Sequence, residues 1–307
     1  MINRRQFIGG VALTAVAGLS ANVPAWAEST SAASTMLARK IPSSGETMPV
    51  IGMGTSGSFE VGDSAGDREP LREVLRLFFE GGGKLIDTAP SYGPAESVLG
   101  DLLTENQWRE RTFLATKIGT TGRAEGFAQF SESLKRLRTD RVELLQVHNL
   151  RDWKTQLEVA RELKSEGKVR YVGLTHYVES AHEELAEALR QSKPDFVQIN
   201  YSVNRRDAEK TIFPVARDLG IAVLANRNFD DGKLFATVRD KALPAWSNEV
   251  GAKTWAELFL RFALSDPAVT AVIPATGKPQ RQSDNLNAGY HAPLDAKQRA
   301  DLIALFN

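Results

Sequence analysis

The sequence predicts an α/β fold: a closed (β/α)8 barrel, with eight parallel strands inside a ring of helices. Three observations predict it. Eight short apolar runs recur along residues 46–307, helical spacing fills the gaps, and polar residues gather where the runs end. The runs span 48–54, 84–88, 112–117, 142–148, 170–175, 196–200, 221–225 and 269–274. They are rich in Val, Ile, Leu and Phe without strict alternation, as in strands buried on both faces. Between them, Leu71, Val74, Leu75, Phe78 and Phe79 recur at three- and four-residue intervals, the stripe of an amphipathic helix. Ala208, Ile212, Val215, Ala216 and Leu219 form a second stripe, and Trp255, Leu258, Phe259 and Phe262 a third. Gly81-Gly82-Gly83 and Glu166-Gly167 stand where helices should stop. Strands separated by helices close into a barrel whose active-site loops follow the strand C-termini. A doubly wound sheet is the alternative, but it should carry a glycine-rich turn after its first strand. Gly52-Met53-Gly54 supplies only part of that fingerprint.

Composition narrows the function. The chain has 307 residues, 42% hydrophobic and 25% charged, with 38 basic and 38 acidic side chains. A neutral chain without a basic run is a poor nucleic-acid binder. The absence of cysteine excludes disulfides, thiolate metal sites and a cysteine nucleophile. Four histidines, His148, His176, His182 and His291, show no metal-hydrolase spacing, so no metal site is expected.

The N-terminus reads as an address. Asn3-Arg4-Arg5-Gln6-Phe7-Ile8 precedes a weakly apolar stretch that ends in Ala25-Trp26-Ala27, a small-x-small cleavage pattern. It resembles a twin-arginine signal peptide, which implies the twin-arginine export machinery as a partner and a periplasmic or otherwise exported destination. Residues 1–27 are thus expected to be a signal peptide, and the Ser/Thr/Ala-rich residues 28–45 a loose linker. Without the leader, 36 basic residues face 38 acidic ones. No permanent membrane anchor is expected, because a spanning helix needs about 20 strongly apolar residues.

The polar residues at the strand ends suggest carbonyl reduction. Asp87 ends the second run, Lys117 the third, His148 the fourth, and Thr175 and His176 the fifth. Gln198 and Asn200 lie late in the sixth, and Tyr92 follows Asp87 by five residues. Barrel geometry converges these positions on one face. Hydride arriving at a carbonyl carbon leaves negative charge on oxygen, which must be protonated. A free tyrosine, with pKa about 10, donates slowly near neutrality. A lysine cation beside it stabilises the tyrosinate, and a carboxylate keeps that lysine charged and in place. A histidine can orient the substrate oxygen.

The segment Gly81-Gly82-Gly83-Lys84-Leu85-Ile86-Asp87-Thr88-Ala89-Pro90-Ser91-Tyr92-Gly93, followed by Glu96-Ser97-Val98-Leu99-Gly100, resembles the motif of the aldo-keto reductase family. Further blocks are similar too: Thr116-Lys117, Leu145-Gln146-Val147-His148, Gly167-Lys168-Val169-Arg170-Tyr171-Val172-Gly173, and Val272-Ile273-Pro274-Ala275-Thr276 with Asp284-Asn285. The resemblance implies a TIM barrel and NADP(H) as cofactor, bound across the barrel mouth without a dinucleotide-binding domain. It implies a small carbonyl substrate, with Tyr92 as general acid and Asp87, Lys117 and His148 completing a catalytic tetrad. It places Thr175, His176 and Gln198 at the nicotinamide carboxamide. Thr276, Arg281, Asp284 and Asn285 fall around the adenosine phosphate and adenine.

Three departures stand out. Thr175-His176 replaces the usual Ser-Asn, Ala275 replaces Gly or Lys, and Ala225-Asn226-Arg227-Asn228-Phe229 replaces an aromatic followed by Ser-Pro-Leu. Asn226 therefore leaves a gap where a family tyrosine stacks on the nicotinamide. Trp153, Phe59, Tyr177 and Phe229 are candidate pocket aromatics. A nucleotide-binding sensor or regulatory subunit on the same barrel is the competing reading.

Overall fold

The computed structural model describes residues 35–306. The expected signal peptide and residues 28–34 of the expected linker lie outside that range. Two short strands come first: β1 (Ala38–Lys40) and β2 (Thr47–Pro49), paired antiparallel. Eight parallel strands follow in sequence order: β3 (Met53–Gly54), β4 (Leu85–Asp87), β5 (Phe113–Ile118), β6 (Val142–His148), β7 (Val169–Thr175), β8 (Phe196–Asn200), β9 (Ala222–Asn226) and β10 (Val269–Val272). Parallel bridges Ile51–Val272 and Gly54–Ala275 join the first strand region to the last. The sheet closes as a (β/α)8 barrel, as the sequence predicts.

Two expectations near the start need correction. Residues 38–45 are no loose linker, because β1 and the turn after it belong to a hairpin packed on the barrel. The expected strand over 48–54 is split. Thr47–Pro49 pairs with the hairpin, and only Met53–Gly54 joins the main sheet. The physical cause is a second apolar target. Ile41 and Met48 are fully buried beneath the inward side chains Leu85, Phe113, Leu144, Tyr171 and Phe196, which together form the barrel interior. Arg39 fixes the hairpin by donating to the backbone carbonyls of Leu264, Val269 and Asp266, the last at 2.9 Å.

Helices cover the outside. They are α1 (Ala65–Glu80), α2 (Ala95–Glu105), α3 (Arg123–Arg136), α4 (Trp153–Ser165), α5 (His182–Ser192), α6 (Ala208–Leu219), α7 (Lys233–Thr237), α8 (Trp255–Leu264), α9 (Pro279–Asn287) and α10 (Ala296–Ala304). The α1 stripe read from the sequence is the buried face. Ser64 caps this helix by accepting from the Asp67 amide at 3.1 Å. The glycines after α1 have a steric cause. A Cβ at Gly83 would lie 2.2 Å from the Phe78 ring, and Gly82 has a φ of +81°. Gly100 lets α2 approach α3, since a Cβ there would meet the Arg136 carbonyl at 2.2 Å. Helix α10 opens with a capping box between Asp295 and Gln298. No described helix is long and apolar enough to cross a membrane.

Candidate active site

Barrel strands alternate between facing the interior and facing the helices. Along β5 the interior positions are Phe113, Ala115 and Lys117, along β6 Leu144, Gln146 and His148, and along β8 Phe196 and Gln198. Each line begins apolar at the floor and turns polar at the strand C-terminal end. The polar ends meet. Lys117, with no side-chain exposure, places Nζ 2.6 Å from Asp87 Oδ2 and donates to the Thr88 carbonyl at 2.8 Å. The other carboxylate oxygen, Asp87 Oδ1, accepts from Gln146 Nε2 at 3.0 Å and Gln198 Nε2 at 2.9 Å. Gly173 makes room, because a Cβ there would lie 3.0 Å from Gln146 Cγ.

Tyr92 reaches this cluster from the loop after β4. A tight turn carries it, with the Tyr92 amide donating to the Ala89 carbonyl at 3.1 Å. Lys117 Nζ lies 5.1 Å from the centre of the Tyr92 ring, and His148 meets that ring edge-on at 6.1 Å between centroids. Burial raises the Tyr92 pKa above the ordinary tyrosine value; Lys117 opposes the rise, and Asp87 and Glu60 add to it. The phenol therefore holds its proton at neutral pH. Burial would discharge Lys117, but Asp87 and then Tyr92 more than compensate and hold it charged. His148 is pushed down to about 3 by burial, by the Lys117 charge and by His176. It is a neutral imidazole at physiological pH, able to orient an oxygen but not to act as the acid.

A pocket of about 1080 Å³ opens over the strand C-termini. Its wall includes Asp87, Tyr92, His148, Thr175, Gln198 and Asn226, and further along Thr276, Arg281, Asp284 and Asn285. Thr175 Oγ1 donates to Gln198 Oε1 at 3.2 Å, and Asn226 Nδ2 donates to the same oxygen at 3.3 Å. Asn226 is thus tied into an amide cluster rather than leaving a simple gap, and its own Oδ1 is buried without a partner.

Two expected site residues are missing from the pocket wall: Lys117, which lies buried beneath Tyr92, and His176. His176 Nδ1 accepts from the backbone amides of Tyr177 at 3.0 Å and Val178 at 3.3 Å, and its ring stacks on Tyr177. The ring shapes its own loop, and the His176 backbone meets the cluster: its amide donates to the Gln198 carbonyl at 3.0 Å and its carbonyl lies 3.5 Å from Asn226 Nδ2. Asn200 turns to His182 Nε2 at 3.1 Å. Of the candidate aromatics, Tyr177 and Phe229 line the pocket, whereas Phe59 is fully buried and Trp153 packs on the core.

The profile of the Aldo/keto reductase family matches residues 50–305. The chain belongs to the aldo/keto reductase family. It is 30% identical over 194 residues to aldo-keto reductase YhdN of Bacillus subtilis (strain 168), covering 57% of this chain and 56% of that protein. It is 27% identical over 210 residues to an NADH-specific methylglyoxal reductase of Escherichia coli (strain K12), covering 58% and 62%. The chain thus spans about half to three-fifths of the length of these curated relatives. Among solved structures it is similar to an aldo/keto reductase from Klebsiella pneumoniae in complex with NADP and acetate. That match has a TM-score of 0.72 and 25% identity, covering 85% of this chain and 93% of that one.

Within this aldo/keto reductase, several site residues escape simple motif reading. Gln146 is one. It sits two residues before His148, and strand alternation alone puts both on the interior face. Phe235 and Trp255 also line the pocket, with Ser56, Glu60, Ser91 and Asn149. These lie on loops and helix starts, where periodicity carries no signal.

Proposed function

We propose that this chain reduces a small aldehyde or ketone to an alcohol with NADPH, Tyr92 delivering the proton. The observation that carries the reading is the buried chain Asp87–Lys117–Tyr92, flanked by a neutral His148 and opening into the pocket. A sensor needs no charged lysine beneath a pocket tyrosine. A relative named as a methylglyoxal reductase supports the reaction, and a solved relative carrying NADP supports the cofactor.

The residues present suit the cofactor. The pocket is larger than one drug-sized ligand needs. Arg281 lines it without an ion-pair partner among the described residues, free to meet a 2′-phosphate. Asn226 Oδ1, beside Gln198 and Thr175, is a buried acceptor awaiting a donor such as a carboxamide NH2. When bound, reduced nicotinamide supplies hydride to the carbonyl carbon. The chain does the rest. His148 donates a hydrogen bond that orients the carbonyl oxygen, and Tyr92 passes its proton to that oxygen as charge develops. Lys117 stabilises the tyrosinate left behind, and Asp87 keeps Lys117 charged. Acid–base assistance of this kind is worth about 10²–10⁴ in rate. Tyr92→Phe keeps the ring and removes the proton. NADPH oxidation with an aldehyde should fall at least about 100-fold while cofactor affinity is held. Near-normal turnover would show that another acid acts.

Export belongs to the same proposal. Its support is the Arg4-Arg5 pattern and the Ala25-Trp26-Ala27 site, with the twin-arginine machinery as partner and the periplasm or cell exterior as destination. Replacing both arginines by lysine should retain the protein inside the cell, and unchanged export of that variant would sink this part.

A further inference from the structure

We infer that Glu60 sets the charge of the substrate: the site favours carbonyl compounds bearing a cationic group, accepts neutral polar ones, and disfavours carboxylates. The inference rests on the reductase reading and concerns the half of the pocket beside Tyr92.

Six residues that ordinarily carry charge line the pocket: Glu60, Asp87, Arg227, Asp231, Arg281 and Asp284. Most are already answered. Asp87 is neutralised by Lys117 at 2.6 Å. Arg227 pairs with Asp231 at 3.1 Å and lies over the Tyr177 ring, 4.3 Å from its centre. Asp284 accepts from Gln280 at 3.3 Å and follows Arg281 within one turn of α9, at the end of the pocket assigned above to the cofactor phosphate. At the Tyr92 end of the pocket, Glu60 is the charge that remains. The cation nearest to it in sequence, Arg68, is held by Asp63 at 2.6 Å and Asp101 at 2.8 Å. Glu60 forms no ion pair among the described residues.

Its position is fixed. Strands β3 and β4 are neighbours, with Gly54 in register with Asp87. Glu60 follows Gly54 by six residues, and Tyr92 follows Asp87 by five. The two loops therefore stand side by side over the same pocket. Phe59, fully buried, anchors the Glu60 loop, and Glu60 Oε1 accepts from the Gly57 amide at 2.7 Å. One carboxylate oxygen is thereby engaged, and Glu60 is exposed where it lines the pocket. Tyr92 registers the Glu60 charge, which is one of the influences raising its pKa. The neighbouring wall residues are Ser56, Ser91 and Asn149, hydroxyls and an amide that suit polar substrates and offer no positive charge to a carboxylate.

The test uses matched aldehydes. Betaine aldehyde and 3,3-dimethylbutanal share a shape and differ by one positive charge. Succinic semialdehyde and its methyl ester differ by one negative charge. For each pair the ratio of kcat/KM, charged over neutral, is measured in the unmodified protein and in Glu60→Gln, which retains an acceptor for the Gly57 amide. Comparing ratios between proteins cancels the different hydration of the aldehydes. Two unit charges in one half-solvated pocket shift relative rates about three- to tenfold. Glu60→Gln should lower the cation ratio and raise the carboxylate ratio by that factor, and added salt should shrink both effects. Glu60→Lys should invert the preference. Unchanged ratios in both variants, with the neutral aldehydes still reduced, would overturn the assignment of Glu60 and leave the reductase reading standing. Failure of the unmodified protein to oxidise NADPH with either neutral aldehyde would overturn the reductase reading and this inference with it.

Discussion

Replacing Lys117 by methionine separates the two tasks of the buried lysine. Lys117 and Asp87 have side-chain exposures of 0% and 4%, so water solvates both charges poorly. Removing one partner of a buried pair costs about 3–5 kcal/mol, because the other charge stays buried and unanswered. Gln146 and Gln198 still donate to Asp87 Oδ1, which places the loss near the lower end, about 3 kcal/mol. For a domain of this size each kcal/mol moves Tm by about 2–4 °C, so the melt should fall by about 6–12 °C. Catalysis should fall by about 10²–10⁴, since burial then raises the Tyr92 pKa without opposition. Thermal melts and NADPH oxidation measure the two losses. The double variant Lys117→Met/Asp87→Asn removes both charges at once. It should recover most of the stability and none of the rate. If Lys117→Met keeps its rate within about threefold, the lysine charge does not serve the tyrosine. If the double variant stays as unstable as the single one, the loss comes from packing and not from an unpaired carboxylate.

Other outcomes follow from the same geometry. With His148 depressed to about 3, the rate profile should lack an imidazole limb near pH 6.5. A depressed histidine leaves the folded state with fewer bound protons than the unfolded chain, so its stabilising contribution is complete above about pH 6.5 and is lost as pH falls toward 3. Acid denaturation followed by circular dichroism should therefore be shallower in His148→Gln over that window. Arg39→Ala strips donors from three backbone carbonyls on the barrel floor and should cost about 1–3 kcal/mol in urea melts, with kcat unchanged. Arg281→Ala should reduce the preference for NADPH over NADH in binding titrations by about tenfold, the lower end for a charge-assisted contact because Arg281 is exposed. Equal binding of both cofactors by the unmodified protein would remove Arg281 from that role.

The barrel was legible because apolar runs and helical stripes carry the physics of burial. The α1 stripe needed nothing but its helical period, and the seven strand regions after the first nothing but an apolar run. The hairpin was not legible. Ala38–Lys40 is short and polar, and its pairing depends on two adjoining apolar side chains, Ile41 and Met48, finding the distant barrel floor. The split of the expected 48–54 strand has the same cause, since one apolar run serves both the floor and the wall. In the site, Asp87, Lys117 and Tyr92 could be read because each ends or follows a strand. His176 misled because its neighbour Thr175 faces the barrel axis while its own ring folds back on the loop. Glu60 and Trp255 lie on a loop and a helix start, where only the folded chain brings them over the same pocket.

Asp87 has one further consequence. Its two oxygens hold Lys117 on one side and Gln146 and Gln198 on the other. The group that steadies Lys117 beneath Tyr92 is therefore the group that steadies the amide wall of the pocket. Neither half can be re-engineered alone. A change that shifts Gln198 to welcome a different dinucleotide also shifts the carboxylate under the lysine. Altering coenzyme choice from the carboxamide end should thus carry a turnover penalty, whereas changes at the distant Arg281 end leave this shared hinge untouched.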